Sequence, residues 1–192
     1  LQVLLIKRDI DPFDNFWVLP GGFLQDSESL EEAALRVLST KTGIDDTFLE
    51  QLYTFGKPDR DPRARIVSVA YFALVNPTAY EIVAGLTSSA IKWWPVEEIP
   101  ELGFDHKTIV DTAIARIRAK ISYQPIGFNL LEEEFTLTEL QMLYETILNK
   151  QIDKRNFRKK ILESRIVLQT EKKRMGLKNR QPFLYKFDHG KY

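Results

Sequence analysis

The chain contains no cysteine. That excludes a disulfide framework, a thiolate zinc centre and a cysteine nucleophile, and it fits a reducing, cytoplasmic setting. The two histidines, His106 and His189, stand far apart and give no metal or nucleophile signal. No apolar run approaches the roughly 18 residues of a membrane span, so no membrane partner is expected. No basic-then-apolar leader opens the chain, and internal repeats and low-complexity tracts are lacking. There is no initiator methionine either: the chain starts at Leu1 in what reads as a strand, so some N-terminal sequence is expected to be missing. Apolar residues are ample, at 44% of 192, enough for one large domain or two small ones.

Net charge is also lacking, but only in the sum. Residues 1 to 134 carry 13 Lys+Arg against 21 Asp+Glu, and residues 135 to 192 carry 14 against 6. An acidic body of charge eight negative is thus joined to a basic module of charge eight positive. Such a split suits a module that meets an anion, with nucleic acid the natural partner.

The first part alternates strands and helices. Leu1 to Lys7, Trp17 to Leu19, Phe48 to Gly56, Ile66 to Val75 and Ala90 to Val96 are rich in β-branched and aromatic residues and read as strands. Ser29 with Glu32 makes a capping box and Gly43 is a C-terminal stop, which predicts a helix over Leu30 to Thr42. Asp105 opens a second helix to about Ile121, with Ile109, Ala113, Ile114 and Ile117 on its apolar face.

The first helix sits inside a segment with a distinctive frame. Gly22, Glu28, Arg36, Leu38, Gly43 and Ile44 keep the spacing of the Nudix hydrolase box, which this stretch resembles. The glutamates that the box would carry later are Val37, Thr40 and Lys41 here. Those positions are i, i+3 and i+4, one stripe of the helix, where carboxylates would hold Mg²⁺ around a pyrophosphate. Valine offers no oxygen, threonine a weak one, and lysine a positive charge where the metal should sit. No metal site, no cofactor and no catalytic residue are therefore expected. Glu28, Glu31 and Glu32 share a similar spacing and could form a replacement site, but acids in a first helical turn usually face water. The resemblance covers about the first 120 residues and implies an α/β fold, a Nudix-like α/β/α sandwich with a mixed sheet.

Ser122 to Leu131 holds Pro125 and Gly127 with several apolar residues and reads as a linker packed onto something. The expected division is a body over 1–122, a linker over 123–134 and a basic module over 135–192. In that module Thr138 and Gln141 read as a capping box opening a helix to about Asn149, and Asp153 caps a second helix, Lys154 to Ser164. Phe157 and Ile161 of this helix point inward. Arg155, Asn156 and Lys159 fall on its outward face, with Arg158 in the same basic run. Two strands, Ile166 to Thr170 and Phe183 to Phe187, enclose a loop that carries Lys172, Lys173, Arg174, Lys178 and Arg180. The alternation of Phe183, Tyr185 and Phe187 predicts three aromatics on one face. Helix, turn, helix and basic hairpin describe a winged helix-turn-helix. Its expected division of labour gives base edges to the outward helix face and phosphates to the wing.

A Nudix-like body before such a module resembles the Nudix-related transcriptional regulators, which include repressors of NAD biosynthesis and arabinose-responsive regulators. Further residues carrying the resemblance are Tyr53 to Arg63 with its Asp59-Arg60-Asp61-Pro62-Arg63 turn, the strand Ile66 to Phe72, Phe135 to Gln141, and Asp153 to Arg158. The resemblance implies a body that senses a small molecule, ADP-ribose-like or a pentose such as L-arabinose, and homodimers bound to operator DNA. A dimer also follows from the limited reach of one winged helix, with the interface expected in the acidic body. For ligand binding, Arg36 is a candidate contact or a structural ion-pair partner. Arg60 and Arg63 are candidates for a phosphate, or build the turn or a dimer surface. The rival readings are a nucleotide-sugar pyrophosphatase with an accessory nucleic-acid-binding domain, and an interaction module whose basic tail meets RNA or an acidic protein.

Overall fold

A computed structural model describes residues 1–122, 126, 130–175, 181–188 and 190. In chain order its elements are β1 (Gln2–Arg8), β2 (Trp17–Val18), α1 (Leu30–Thr42), β3 (Glu50–Phe55), β4 (Ser68–Phe72), β5 (Ser88–Pro95), α2 (His106–Lys120), α3 (Leu137–Leu148), α4 (Lys154–Ser164), β6 (Val167–Lys173) and β7 (Phe183–Phe187). The chain divides into two compact units, Leu1–Arg116 and Ile117–Tyr192.

In the first unit β1 lies between β2 and β5, antiparallel to both, with Leu5 opposite Lys92 and Ile6 opposite both Val18 and Ile91. A second antiparallel pair joins β3 to β4. The parallel component of the expected mixed sheet is, among the described residues, one bridge, Trp17 to Leu102. Helix α2 presents two adjacent apolar stripes to these layers. Val110 and Ile114 pack with Leu5, Leu102, Trp17 and Trp94, whereas Ile109 and Ala113 pack with Leu52, Phe55, Ala70 and Phe72. One helix thereby closes two small cores, as the i, i+3, i+4 spacing allows. Helix α1 begins and ends where its local signals lie: Ser29 Oγ accepts from the Glu32 amide, the Glu32 carboxylate accepts from the Ser29 amide, and Gly43 turns left-handed at φ 74°.

The second unit has its own core of Phe135, Leu137, Leu140, Phe157, Ile161, Val167 and Phe187. Phe157 and Ile161 are 5% and 6% exposed, and each contributes about 1.5–3 kcal/mol by burial. Phe135 exchanges backbone hydrogen bonds with Tyr185 in both directions, which adds one rung to the β6–β7 hairpin just before α3. Arg118, at the end of α2, donates to the Ile147 carbonyl at the end of α3.

Two expectations for this unit are corrected. The capping box of α3 is Thr136 with Glu139, two residues before the expected Thr138 with Gln141. Gln141 instead donates to the Glu145 carboxylate and the Ile152 carbonyl, which closes the turn between α3 and α4. The aromatic alternation of β7 also fails at one end. Phe187 is buried and Tyr185 half-buried, but Phe183 is 42% exposed, and Leu184 on the opposite face is buried. Of the linker, Leu131 packs onto the second core, whereas Pro125, Gly127 and Phe128 lie outside the described residues.

Candidate effector pocket and nucleic-acid interface

The box stripe is occupied by contacts inside the body. A Cβ built on Gly22 would stand 2.7 Å from Val37 Cγ2, so the glycine lets the preceding loop rest directly on the valine. Thr40 Oγ1 donates back to the Arg36 carbonyl at 2.8 Å, and Lys41 Nζ donates to Thr87 Oγ1. The possible substitute carboxylates diverge to separate partners. Glu28 takes both prongs of Arg36, Glu32 closes the capping box, and Glu31 accepts from the Tyr71 hydroxyl. Arg36 holds the Glu28 carboxyl below the usual carboxylate range.

The three arginines singled out in the body differ in what they have left to offer. Arg36 is tied to Glu28 and to the Phe23 carbonyl. Arg60 is buried and donates to both oxygens of Asp105, at 2.9 and 2.7 Å, and to Ser68 Oγ at 2.6 Å. It joins the Asp59–Arg63 turn to β4 and to the start of α2, which explains where the Asp105 carboxylate is used. Arg63 pairs with its neighbour Asp61 through Nε and Nη2, and its side chain is 42% exposed. Its guanidinium lies 5.8 Å from the Phe23 ring centre and 5.5 Å from that of Phe104. The pairing pulls the Asp61 carboxyl below its ordinary range.

Beside this turn an open cleft of about 330 Å³ is bordered by Phe13, Lys57, Asp59, Arg60, Phe104 and Asp105. The Phe13 and Phe104 rings pack at a tilt of 54° with centres 4.5 Å apart, and both residues hold a left-handed backbone, at φ 64° and 57°. For a bulky residue that conformation costs about 1–3 kcal/mol, so the surrounding packing must enforce it. His106 lies next to Phe104, and its Nδ1 accepts the Leu19 amide at 2.9 Å. Burial, with Arg60 and Arg8 adding to it, outweighs Asp105 and Asp61 and lowers the imidazole to about 4, so it is neutral at pH 7. This anchoring role was invisible in the sequence, where the two partners are 87 positions apart.

In the second unit α4 is started by Asp153, whose carboxylate accepts the Asn156 amide at 2.9 Å. Arg155, Asn156 and Lys159 are exposed on the side away from Phe157. The Arg155 side chain makes no hydrogen bond or ion pair among the described residues, and Lys159 meets Glu163 only at 3.9 Å. Arg158 is half-buried and reaches back to Thr138 Oγ1 at 3.4 Å. The wing cations divide as well. Lys173 is exposed above the Phe183 ring, whereas Lys172 pairs with Glu134 at 2.9 Å. Arg174 reaches Glu132 and Glu139 at 2.8 Å each. Those carboxylates raise the Arg174 guanidinium above its usual value. Glu139 also accepts the Thr136 amide at 2.6 Å, and although burial pushes its carboxyl upward, the hydrogen bonds from Thr136 and Arg174 hold it low. Lys178 and Arg180 lie outside the described residues. The acids that hold the wing root, Glu132 and Glu134, were not singled out in the sequence.

An α/β body with a box helix, followed by a helix-turn-helix and wing, defines a Nudix domain joined to a DNA-binding winged helix. The two family models that match are the NUDIX domain over residues 1–113 and the NrtR DNA-binding winged helix domain over 127–187. The "ADPR responsive transcriptional repressor NtrR" of Acinetobacter baylyi is 39% identical over 191 residues, covering 97% of this chain and 76% of its own. Shewanella oneidensis NrtR, solved in complex with a 27mer DNA, superposes with a TM-score of 0.79 at 35% identity, over 97% of this chain and 86% of that one. The chain belongs to the Nudix-related transcriptional regulators of the NrtR type. Its first part is also similar to two further proteins. The Nudix domain of S. oneidensis NrtR, solved with ADP-ribose, gives a TM-score of 0.54 at 39% identity over 60% of this chain and 77% of that one. An ADP-ribose pyrophosphatase of Methanocaldococcus jannaschii is 33% identical over 109 residues, 57% of this chain and 63% of the enzyme.

Proposed function

We propose that this chain is an ADP-ribose-responsive repressor that binds operator DNA as a homodimer in the cytoplasm, with a body that binds its effector without hydrolysing it. The working division is a sensing body over 1–122, a linker over 123–134 and the DNA-binding module over 135–192. The observation that carries the reading is the union of a box stripe without carboxylates at Val37, Thr40 and Lys41 with an outward basic face on α4, where Arg155 has no partner among the described residues. Arg155, Asn156 and Lys159 are the residues that reach base edges, since arginine pairs with guanine and asparagine with adenine. Lys172 and Lys173, with Lys178 and Arg180, meet phosphates. Arg158 and Arg174 belong to the same interface and act chiefly by holding α4 and the wing in place, as their contacts with Thr138, Glu132 and Glu139 support. The dimer contacts fall to the body.

Of the two effector classes left open by the sequence, the relatives favour the nucleotide over a pentose, both in the ADPR-responsive repressor and in the Nudix domain solved with ADP-ribose. A second reading, an ADP-ribose pyrophosphatase with an accessory nucleic-acid-binding domain, draws on the likeness to the M. jannaschii enzyme. Against it stands the lack of carboxylates along the stripe at Val37, Thr40 and Lys41. A gel-shift titration on operator DNA at fixed salt tests the proposal. ADP-ribose should release the DNA, L-arabinose should not, and ADP-ribose incubated with Mg²⁺ should be recovered intact. A complex indifferent to ADP-ribose, or turnover that disappears with EDTA, would overturn it.

A further inference from the structure

Two guanidinium groups lie against one aromatic ring in the body. The Arg8 guanidinium carbon is 5.2 Å from the Phe104 ring centre and that of Arg63 is 5.5 Å from it. Like charges so placed repel, and burial together with the Arg63 charge lowers the Arg8 pKa despite the weaker opposing pull of Asp61, Asp9 and Asp11. Neither group is used up. A guanidinium has five N–H donors. Arg8 gives one to the Pro12 carbonyl and one to that of Asp11, and Arg63 gives two to Asp61. Arg36 and Arg60 differ in having their prongs committed to Glu28 and Asp105, with Arg60 almost wholly buried. In front of Arg63 stands Phe23, 69% exposed although large and apolar, directly after the Gly21-Gly22 pair.

We propose that Arg8 and Arg63 form a two-guanidinium clamp, floored by Phe104 and fronted by Phe23, that grips the diphosphate of a nucleotide effector. This rests on the reading of the body as a nucleotide-sensing domain. A diphosphate brings two or more negative charges to a pair of forks whose planar geometry matches phosphate oxygens, and so relieves the repulsion between them. The Phe23 ring supplies the apolar face that an inorganic anion does not need and an organic one does. Asp61 keeps Arg63 oriented while leaving it a free edge.

Isothermal titration on the full chain tests the clamp, with ADP-ribose and inorganic pyrophosphate as probes. Arg8→Gln and Arg63→Gln should each weaken both ligands about tenfold to a hundredfold, as expected for loss of a charge-assisted hydrogen bond. Phe23→Ala should weaken ADP-ribose and leave pyrophosphate unchanged. Operator affinity without effector should not move in any of the three. Phe23 is exposed and its ring pairs with no buried group, so its variant keeps the fold, and a thermal melt of each arginine variant separates lost binding from lost folding. If the unaltered chain binds ADP-ribose and Arg63→Gln binds it equally well, the clamp is wrong while the function stands. If the unaltered chain ignores ADP-ribose, the functional reading falls. Pyrophosphate then decides the clamp alone: binding that Arg63→Gln abolishes supports it, and no binding overturns it.

Discussion

Arginine does opposite work in the two units. In the body Arg60 is buried, with three of its five donors given to Asp105 and Ser68, and it fastens a loop to a strand and a helix. On α4 Arg155 stands in water with no partner among the described residues. A buried, paired guanidinium stabilises a fold and presents little to a ligand. An open one adds little to stability and can meet a base. The contrast teaches that a basic residue in a candidate site is judged by its unspent donors rather than by its charge.

The contrast breaks most visibly at Arg60. Arg60→Ala leaves Asp105 half-desolvated without its partner and should cost about 3–5 kcal/mol in denaturant unfolding of the body, with operator affinity unchanged per folded molecule. Next in size is acid. The unfolded chain binds a proton at His106 near the ordinary imidazole value of 6.5, whereas the folded chain binds it only near 4. Stability is therefore fully present above about pH 6.5 and falls between there and about pH 4, by up to about 3 kcal/mol. His106→Gln should flatten that part of the pH profile of the thermal midpoint. Arg155→Ala should do the reverse of Arg60→Ala. It should cost about 1–3 kcal/mol on the cognate operator and relax preference at one base, while the melting curve stays put. The smallest effect belongs to Lys173→Ala, which should weaken all DNA sequences alike and reduce the slope of log affinity against log salt by about one. Unchanged operator affinity in both Arg155→Ala and Lys173→Ala at fixed salt would remove α4 and the wing from the interface.

What could be read from the sequence was whatever depends on neighbours in sequence. Ser29, Glu32 and Gly43 mark both ends of α1, and Asp153 marks the start of α4, because capping is settled within four residues. The start of α3 was misread because Thr136 and Thr138 are each followed three positions later by a residue able to close a box. The choice between them is tertiary: Arg174 holds Glu139, and Phe135 is pinned to Tyr185. The same limit hid the body's pairings. Arg60 finds Asp105 at a separation of 45 positions and His106 finds Leu19 at 87. Glu132 and Glu134 fall within the expected linker, yet they pair with Arg174 and Lys172 at the wing root.

Glu139 therefore serves two masters. One carboxylate closes the first turn of α3 and also holds the Arg174 guanidinium at the base of the hairpin. The two elements then form one mechanical unit: a hairpin that lifts away withdraws the counter-charge from this carboxylate, and the helix start frays with it. A load on the wing would reach the start of α3 by this carboxylate, and Gln141 ties α3 in turn to the Ile152 carbonyl just before α4. The exchange rate of the Thr136 amide proton becomes a local gauge of how rigidly the reading head is mounted.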